Sequence, residues 1–168
     1  MSKAFVRESE SDVPPDISVP ASLLPDGAKN YLTAAGAARL QEELARLVDV
    51  ERPALAAAGD DSVAREKLQA VDQRIRSLRH SLSTAEIVPP PADDRSIVRF
   101  GATVAVEDEE GEVATYRLVG VDETDPAEGA VSWTSPIARA LMNARVGEHV
   151  TFRTPVGGRE LEVLHVEY

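Results

Sequence analysis

Two stretches of the chain carry apolar residues at helical spacing, and a short polar segment separates them. In the second stretch the apolar positions recur three and four residues apart, which is typical of a coiled-coil seam. These positions are Leu68, Val71, Ile75, Leu78, Leu82 and Ala85. The first stretch keeps the same spacing, from Ala37 through Leu40 and Leu44 to Leu47. The pattern predicts two helices that pack against each other as an antiparallel coiled-coil hairpin.

Residues at the ends of these helices favour the same arrangement. Thr33 is suited to the N-cap of the first helix, and Gly59 to the left-handed residue that ends the first arm. Gly36 lies where a glycine costs helix stability, so we expect it to permit a close packing contact. Pro53 has no backbone N–H and predicts a kink or a restart in the first arm. The returning helix can be capped by any of three residues at the tip: Asp60, Asp61 or Ser62.

After Pro89-Pro90-Pro91 the apolar period changes from helical to alternating. Strands are predicted near residues 103–107, 113–121, 131–133, 150–154 and 161–168. Ser135 followed by Pro136 predicts the start of a short helix, since a capping hydroxyl precedes a residue with preset φ. In the last strand, Leu161 and Val163 share one parity, whereas Leu164, Val166 and Tyr168 share the other. A regular strand cannot bury both sets on one face, so we expect a bulge or bend near Leu164.

These elements predict an α+β fold: a helical hairpin followed by a small antiparallel sheet domain with one short helix. The expected divisions are a disordered or tail-like segment over residues 1–30, the hairpin over 31–88, a proline-rich linker over 89–95 and the sheet domain over 96–168.

Charge and composition narrow the classes of function. The chain has 18 Lys and Arg residues against 29 Asp and Glu residues, a net charge of -11. Because phosphate binding requires a basic surface, we expect no independent nucleic-acid binding. There is no cysteine, which excludes disulfides and thiolate metal sites and is compatible with the cytoplasm. No apolar run is long enough to span a membrane, and we expect a soluble monomer.

Few residues have the context of a chemical site. Asp60 and Asp61 form an acidic pair at the hairpin tip, where they can contribute oxygen ligands to a shared divalent cation or act only as helix caps. The three histidines lack metal-site spacing, and no stably bound metal is expected. The second helix carries a basic face that either binds a partner or is a solvated face balanced by acids across the hairpin. Its main members are Arg65, Arg76 and Arg79.

Several short motifs in this order resemble the Gre family of bacterial transcript cleavage factors. The most specific are Tyr116-Arg117-Leu118-Val119-Gly120, Ser135-Pro136-Ile137-Ala138-Arg139-Ala140-Leu141 and Val146-Gly147-Glu148. Tyr31-Leu32-Thr33, Gly59-Asp60 and Thr154-Pro155 add to them, so the resemblance covers the chain from about Tyr31 onward.

The resemblance implies a coiled-coil hairpin and a C-terminal domain similar to FK506-binding proteins. It also implies that the C-terminal domain docks on the rim of the RNA polymerase secondary channel while the hairpin enters the channel. Tip acids then help to hold a catalytic magnesium, and the polymerase cleaves its own backtracked RNA, so the factor is not itself an enzyme. The docking residues implied here are Trp133, Thr134, Ser135, Pro136, Ile137 and Arg139.

This chain departs from the family pattern at the tip. The usual Gly-Asp is followed after two residues by Glu-Asn, whereas here Gly59-Asp60-Asp61-Ser62 leads directly into Val63. Each arm is also shorter by roughly one heptad, or about 10 Å. We therefore expect a channel-binding regulator that acts by occupancy. The alternatives are an active cleavage factor that uses Asp60 and Asp61 and, from fold analogy alone, a peptidyl-prolyl isomerase.

Overall fold

A computed structural model describes residues 24–25, 27–59, 61–154 and 157–168. Residues 1–23 and Asp26 of the expected tail, and Asp60, Pro155 and Val156 further along the chain, lie outside the described residues. The elements in chain order are β1 (Asn30–Leu32), α1 (Ala34–Arg46), a π-helical segment (Leu47–Glu51), α2 (Arg52–Ala57), α3 (Ser62–Thr84), β2 (Ala85–Ile87), β3 (Thr103–Asp108), β4 (Val113–Val119), two 3-10 turns (Val121–Glu123 and Pro126–Glu128), β5 (Ala130–Ser132), α4 (Pro136–Leu141), β6 (His149–Thr154) and β7 (Gly157–Glu167).

The two helical arms pack through the apolar positions that the sequence pattern selected. One cluster buries Leu32, Ala37, Leu40, Leu47, Ile75 and Leu78, with Leu44, Val71 and Leu82 partly buried against it. Leu68 is partly buried and Ala64, one turn nearer to the tip, is buried, so α3 stays covered beyond this cluster. The α+β class and the helical hairpin are thus confirmed, while the coiled-coil geometry and the likeness to FK506-binding proteins stay predictions.

The first arm changes its helical form just before Pro53. The amide of Arg52 donates to the carbonyl of Leu47, five residues back, and Pro53 lies at the start of α2. A proline cannot donate to the carbonyl four residues back and its ring clashes with it, so a wider turn accommodates it. The expected kink or restart is therefore a π-helical turn within a continuous arm.

A two-stranded parallel sheet, formed by β1 and β2, connects the two ends of the hairpin. This sheet is not predicted by the sequence pattern. Asn30 pairs with Ala85 and Leu32 with Ile87. The buried side chain of Asn30 adds to this connection, because its Nδ2 donates to the carbonyl oxygen of Ser81 at 3.0 Å. The start of α1 and the end of α3 are therefore held side by side.

The second half of the chain forms a five-stranded sheet in the order β5-β4-β3-β7-β6. Its pairs are antiparallel except that β5 runs parallel to β4, which corrects the expectation of a purely antiparallel sheet. The strand is parallel because the two 3-10 turns between β4 and β5 bring the chain back across the sheet edge instead of reversing it in a hairpin.

The expected bulge in the last strand is present. Ala105 pairs with His165 and Val106 with Val163, so Leu164 has no partner on β3. This extra residue lets Val163 and Val166 both face the core although they are three residues apart. The core of the sheet domain also contains Val98, Val104, Leu118, Ala138, Leu141 and Leu161. Among the described residues, no helix is long and apolar enough to cross a membrane.

Candidate functional site

The hairpin tip is built from a left-handed glycine and a capping aspartate. Gly59 has φ +69°, which ends the first arm as expected. Asp61 is the N-cap of α3, and its Oδ1 accepts a hydrogen bond from the Val63 amide at 3.0 Å. One oxygen of Asp61 is therefore engaged in the helix cap, and Asp60 lies outside the described residues. Across the described residues, no group of three or more possible metal ligands occurs.

The turn before α4 is held rigidly by its own hydroxyl groups. Ser135 caps α4, with its Oγ accepting from the Ala138 amide at 3.2 Å. The amides of Thr134 and Ser135 donate to the Oγ and the carbonyl oxygen of Ser132, at 3.2 and 2.9 Å. Pro136 at the first helical position is exposed. The structure thus brings the predicted docking residues together on one turn and one helix, with Ile137 partly buried against the core.

Similarity to known proteins shows to which family this chain belongs. A family model described as transcription elongation factor GreA/GreB, C-terminal region, matches residues 93–168. The transcription elongation factor GreB of Neisseria meningitidis serogroup B is 40% identical over 154 residues, covering 83% of this chain and 94% of that protein. The transcription elongation factor GreA of Alkalilimnicola ehrlichii is 43% identical over 156 residues, covering 84% and 99%.

This chain belongs to the GreA/GreB family of transcription elongation factors. The relatives match both the hairpin and the sheet domain, since the alignments cover more than four fifths of the chain. The crystal structure of GreA factor homolog 1 (Gfh1) of Thermus thermophilus overlaps 84% of this chain and 100% of its own, at 27% identity and a TM-score of 0.40.

In this Gre-family chain an aromatic groove lies next to the α4 turn. Its centre is Tyr31 of β1, whose ring is 5.3 Å from the ring of Trp133 and 5.7 Å from that of Phe100. The groove has a volume of about 650 Å³ and is lined by Tyr31, Glu86, Val88, Phe100, Trp133, Arg139, Met142 and Asn143. Trp133 and Arg139 therefore connect the predicted docking turn to a concave surface shared by both halves of the molecule.

Sequence reasoning missed most of this groove. In the sequence, Tyr31 stands out only as part of the Tyr31-Leu32-Thr33 motif, and Met142 has no assigned role. Three of the five aromatic residues of the second half, Tyr116, Phe152 and Tyr168, pack against the sheet core instead. The sequence signal nearest to the groove is the Tyr31-Leu32-Thr33 motif, which places an aromatic residue two positions before the N-cap of α1.

The basic face of α3 is exposed but is partly neutralised near the hairpin base. Arg65, Arg76 and Arg79 are exposed. Arg74 forms a two-pronged ion pair across the arms with Glu43, at 2.7 and 2.8 Å, and this hydrogen bonding lowers the pKa of the Glu43 carboxyl. Within the described ranges, neither Arg76 nor Arg79 has an ion-pair partner. The acidic balance expected across the hairpin is thus present at Glu43.

Proposed function

We propose that this chain binds bacterial RNA polymerase at the secondary channel and regulates elongation by occupying it. The sheet domain docks on the channel rim and the helical hairpin inserts. Any RNA cleavage in the complex is carried out by the polymerase, so the chain acts as a regulatory factor, in the cytoplasm and as a monomer. Family membership supports the polymerase as the partner, because the relatives are transcription elongation factors.

The docking half of the proposal is supported by the α4 turn and the groove beside it. Pro136 and Arg139 are exposed, and Trp133 and Met142 supply apolar surface to the groove. An apolar concavity with one cation at its edge suits a helix that offers an apolar side chain and a nearby carboxylate. The hydrogen bonds around Ser132 and Ser135 favour binding, because a turn that is already ordered loses little entropy when it docks.

One observation favours a factor that only occupies the channel over one that provides ligands to a magnesium ion. The carboxylate of Asp61 caps α3. A residue used in this way is held against the backbone of its own helix and is poorly placed to extend toward a metal ion. The arms are also short by about 10 Å, whereas metal coordination tolerates displacements of only tenths of an ångström. In this view Arg65, Arg76 and Arg79 are the surface that faces the channel wall or the RNA.

Cleavage of backtracked RNA distinguishes occupancy from active cleavage. Stalled, backtracked elongation complexes are incubated with the wild-type chain, with the Asp60→Ala plus Asp61→Ala variant, and with a Glu109→Ala plus Glu110→Ala control at the β3–β4 turn. We expect no stimulation of cleavage by any of the three proteins. Prompt cleavage by the wild type and the control, lost in the tip variant, would instead establish the active cleavage factor that uses Asp60 and Asp61.

Competition tests occupancy directly. An active Gre factor is added to the same complexes together with increasing amounts of this chain. We expect the wild type and the tip variant to suppress cleavage equally, since occupancy requires the hairpin and not its acids. Failure of both proteins to suppress cleavage, even when they are present in large excess, would contradict the proposal.

Binding to the polymerase tests the docking surface. Pro136→Ala and Arg139→Ala are expected to weaken binding to the purified polymerase by about tenfold when combined, which corresponds to about 1.4 kcal/mol. Val113→Ala is the matched control, because Val113 is 60% exposed and does not line the groove. Equal affinities for all variants would place the interface elsewhere on the chain.

A further inference from the structure

The 3-10 turn Val121–Glu123 contacts both arms of the hairpin near its base. Asp122 accepts a hydrogen bond from the Ser81 hydroxyl on α3. Glu123 accepts hydrogen bonds from Thr33, the N-cap of α1. The turn belongs to the connection between β4 and β5, so two adjacent acidic residues of the sheet domain bind the beginning of one arm and the end of the other. We call Asp122 and Glu123 the acidic turn.

Glu123 is a buried carboxylate whose bonds are all to neutral donors. It is 5% exposed, and its Oε2 accepts from the amides of Thr33 at 2.9 Å and Gly120 at 3.0 Å. Its Oε1 accepts from the Thr33 hydroxyl. In the part of the chain that the structure describes, no cation pairs with it. Because a buried carboxylate that loses its donors is costly, these three bonds strongly favour one placement of Thr33.

Gly36 provides the space in which the Glu123 carboxylate lies. A Cβ added at Gly36 would be 1.7 Å from Oε1 and 2.1 Å from Cδ of Glu123. No side chain is compatible with that contact, so Glu123 packs directly on the first turn of α1. The close approach expected at Gly36 is therefore a contact between the two halves of the molecule.

The bond from Ser81 to Asp122 is part of a network that includes β1. Ser81 is 7% exposed, and the Nδ2 of Asn30 donates to its carbonyl oxygen at 3.0 Å. Asn30 begins β1, which leads into Thr33 and α1. The two contacts of the acidic turn are thus coupled through the paired strands β1 and β2. Rotation of the hairpin about one contact would break the other.

We propose that the acidic turn fixes the direction of the hairpin relative to the sheet domain, with Glu123 as the positioning residue. Two contact points, one on each arm, limit the hairpin to rotation about the line that joins them, and the ring contacts of Tyr31 with Trp133 and Phe100 add a third restraint. A hairpin held in this way keeps a set angle in solution, before any partner binds. A fixed angle would help the hairpin to enter the polymerase channel, and this benefit rests on the proposed function. The fixed angle between the hairpin and the sheet domain does not depend on that function.

The angle can be measured on the free protein, because the chain has no cysteine and accepts two unique labels. Spin labels are attached through Ala57→Cys near the tip and Glu110→Cys in the β3–β4 turn, both exposed positions. Pulsed electron resonance then gives the distribution of distances between them. We expect one narrow distribution for the labelled parent, and a broad one for Glu123→Ala and for Gly36→Ala.

Gly36→Ala tests the same contact without removing the carboxylate, since the added Cβ displaces Glu123 from its place. Glu123→Gln keeps the shape of the side chain and should restore part of the narrow distribution. Glu128→Ala is the matched control, an exposed acid in the neighbouring 3-10 turn, and should leave the distribution unchanged.

Amide hydrogen exchange separates positioning from general destabilisation. The Thr33 and Gly120 amides both donate to Glu123, so in Glu123→Ala they should exchange about tenfold faster or more. The Ile75 amide in the middle of α3 should keep its rate. A narrow distance distribution in both Glu123→Ala and Gly36→Ala would overturn the proposal. If Glu123→Ala does not fold, Gly36→Ala and Glu123→Gln decide the outcome. Since no polymerase is present, either result is independent of the proposed function.

Discussion

Single side chains hold together parts of the sheet domain that are distant in sequence. The hydroxyl of Tyr168 donates to the carbonyl oxygen of Ile97 at 2.6 Å and accepts from the Arg99 amide at 2.8 Å. Asp94 and Arg145 are joined at 2.9 Å in the same region. These contacts fasten the segment that follows the proline-rich stretch to the sheet domain.

Replacement of Tyr168 by Phe removes both bonds and leaves two backbone groups without a partner. We expect the free energy of unfolding to fall by about 1 to 2 kcal/mol, since unpaired, partly buried groups keep their desolvation cost. Chemical denaturation measures the change. Tyr116→Phe is the control, because the Tyr116 hydroxyl has no hydrogen-bond partner among the described residues, and its loss should have little effect. Equal losses in the two variants would mean that the hydroxyl of Tyr168 contributes nothing specific.

Asp94 provides a prediction about pH. The pKa of its carboxyl is lowered from 3.8 to about 2, chiefly by the hydrogen bond from the Ser96 hydroxyl, then by the Ser96 amide and Arg145. Because the folded-state pKa is depressed, its stabilising contribution is present above the unfolded-state value and is lost as the pH falls toward about 2. Ser96→Ala should therefore raise the pKa of Asp94, as followed by carboxyl carbon NMR. Arg145→Gln should raise it as well, because it removes a hydrogen bond and a nearby positive charge, and an unchanged pKa in both variants would contradict this account.

At the scale of elements, the sequence predicts the ends of the helices correctly, because a few neighbouring residues determine them. Thr33 caps α1, Gly59 ends the first arm and Ser135 caps α4, because each depends on a few adjacent residues. The parallel pairing of β1 with β2 and of β5 with β4 depends on where distant segments meet, which a single sequence does not contain. The same holds for the groove around Tyr31 and for the buried Glu123, which no local pattern in the sequence marks. Leu164 was predictable because its parity conflicts with that of Val163.

The bulge at Leu164 leads to a testable prediction about the pairing of β7 with β3. Deletion of Leu164 leaves Leu161, Val163 and Val166 at alternate positions, so all three still face the core and β7 pairs regularly with β3. We expect the variant to fold with a loss of stability of about 1 kcal/mol or less.

Deletion of Ala105 in β3 is the matched control for this prediction. It places the buried residues Val104 and Val106 at adjacent positions and sends one of them to solvent, so we expect the sheet domain to unfold or lose most of its stability. Thermal unfolding followed by circular dichroism compares the two variants. Similar midpoints would contradict the proposed role of the bulge.

At the scale of the whole molecule, the charge distribution limits what the chain can bind. The net charge is -11, and the exposed arginines of α3 lie on a hairpin whose other arm carries Glu42, Glu43, Asp49 and Glu51. Counterion release from RNA requires a larger basic surface than this. We therefore expect the basic face to contact RNA only where a protein scaffold brings the two together.

We accordingly expect the isolated chain to bind free single-stranded RNA more weakly than about 10⁻⁴ M at physiological salt. Fluorescence anisotropy with a labelled oligonucleotide measures this affinity. The Arg65→Ala, Arg76→Ala and Arg79→Ala triple variant should give the same result as the wild type. Salt-sensitive micromolar binding that the triple variant loses would show that the basic face binds RNA independently.

The parallel pairing of Asn30–Leu32 with Ala85–Ile87 has a consequence for how such proteins diversify. The chain enters and leaves the hairpin at adjacent points. The length of the two arms can therefore change without any change in the strands that join the hairpin to the sheet domain. Whole heptads can be gained or lost in both arms together while the rest of the molecule keeps its shape. Proteins with this arrangement can thus keep the same paired strands at the base of the hairpin and differ in the length of its helical arms.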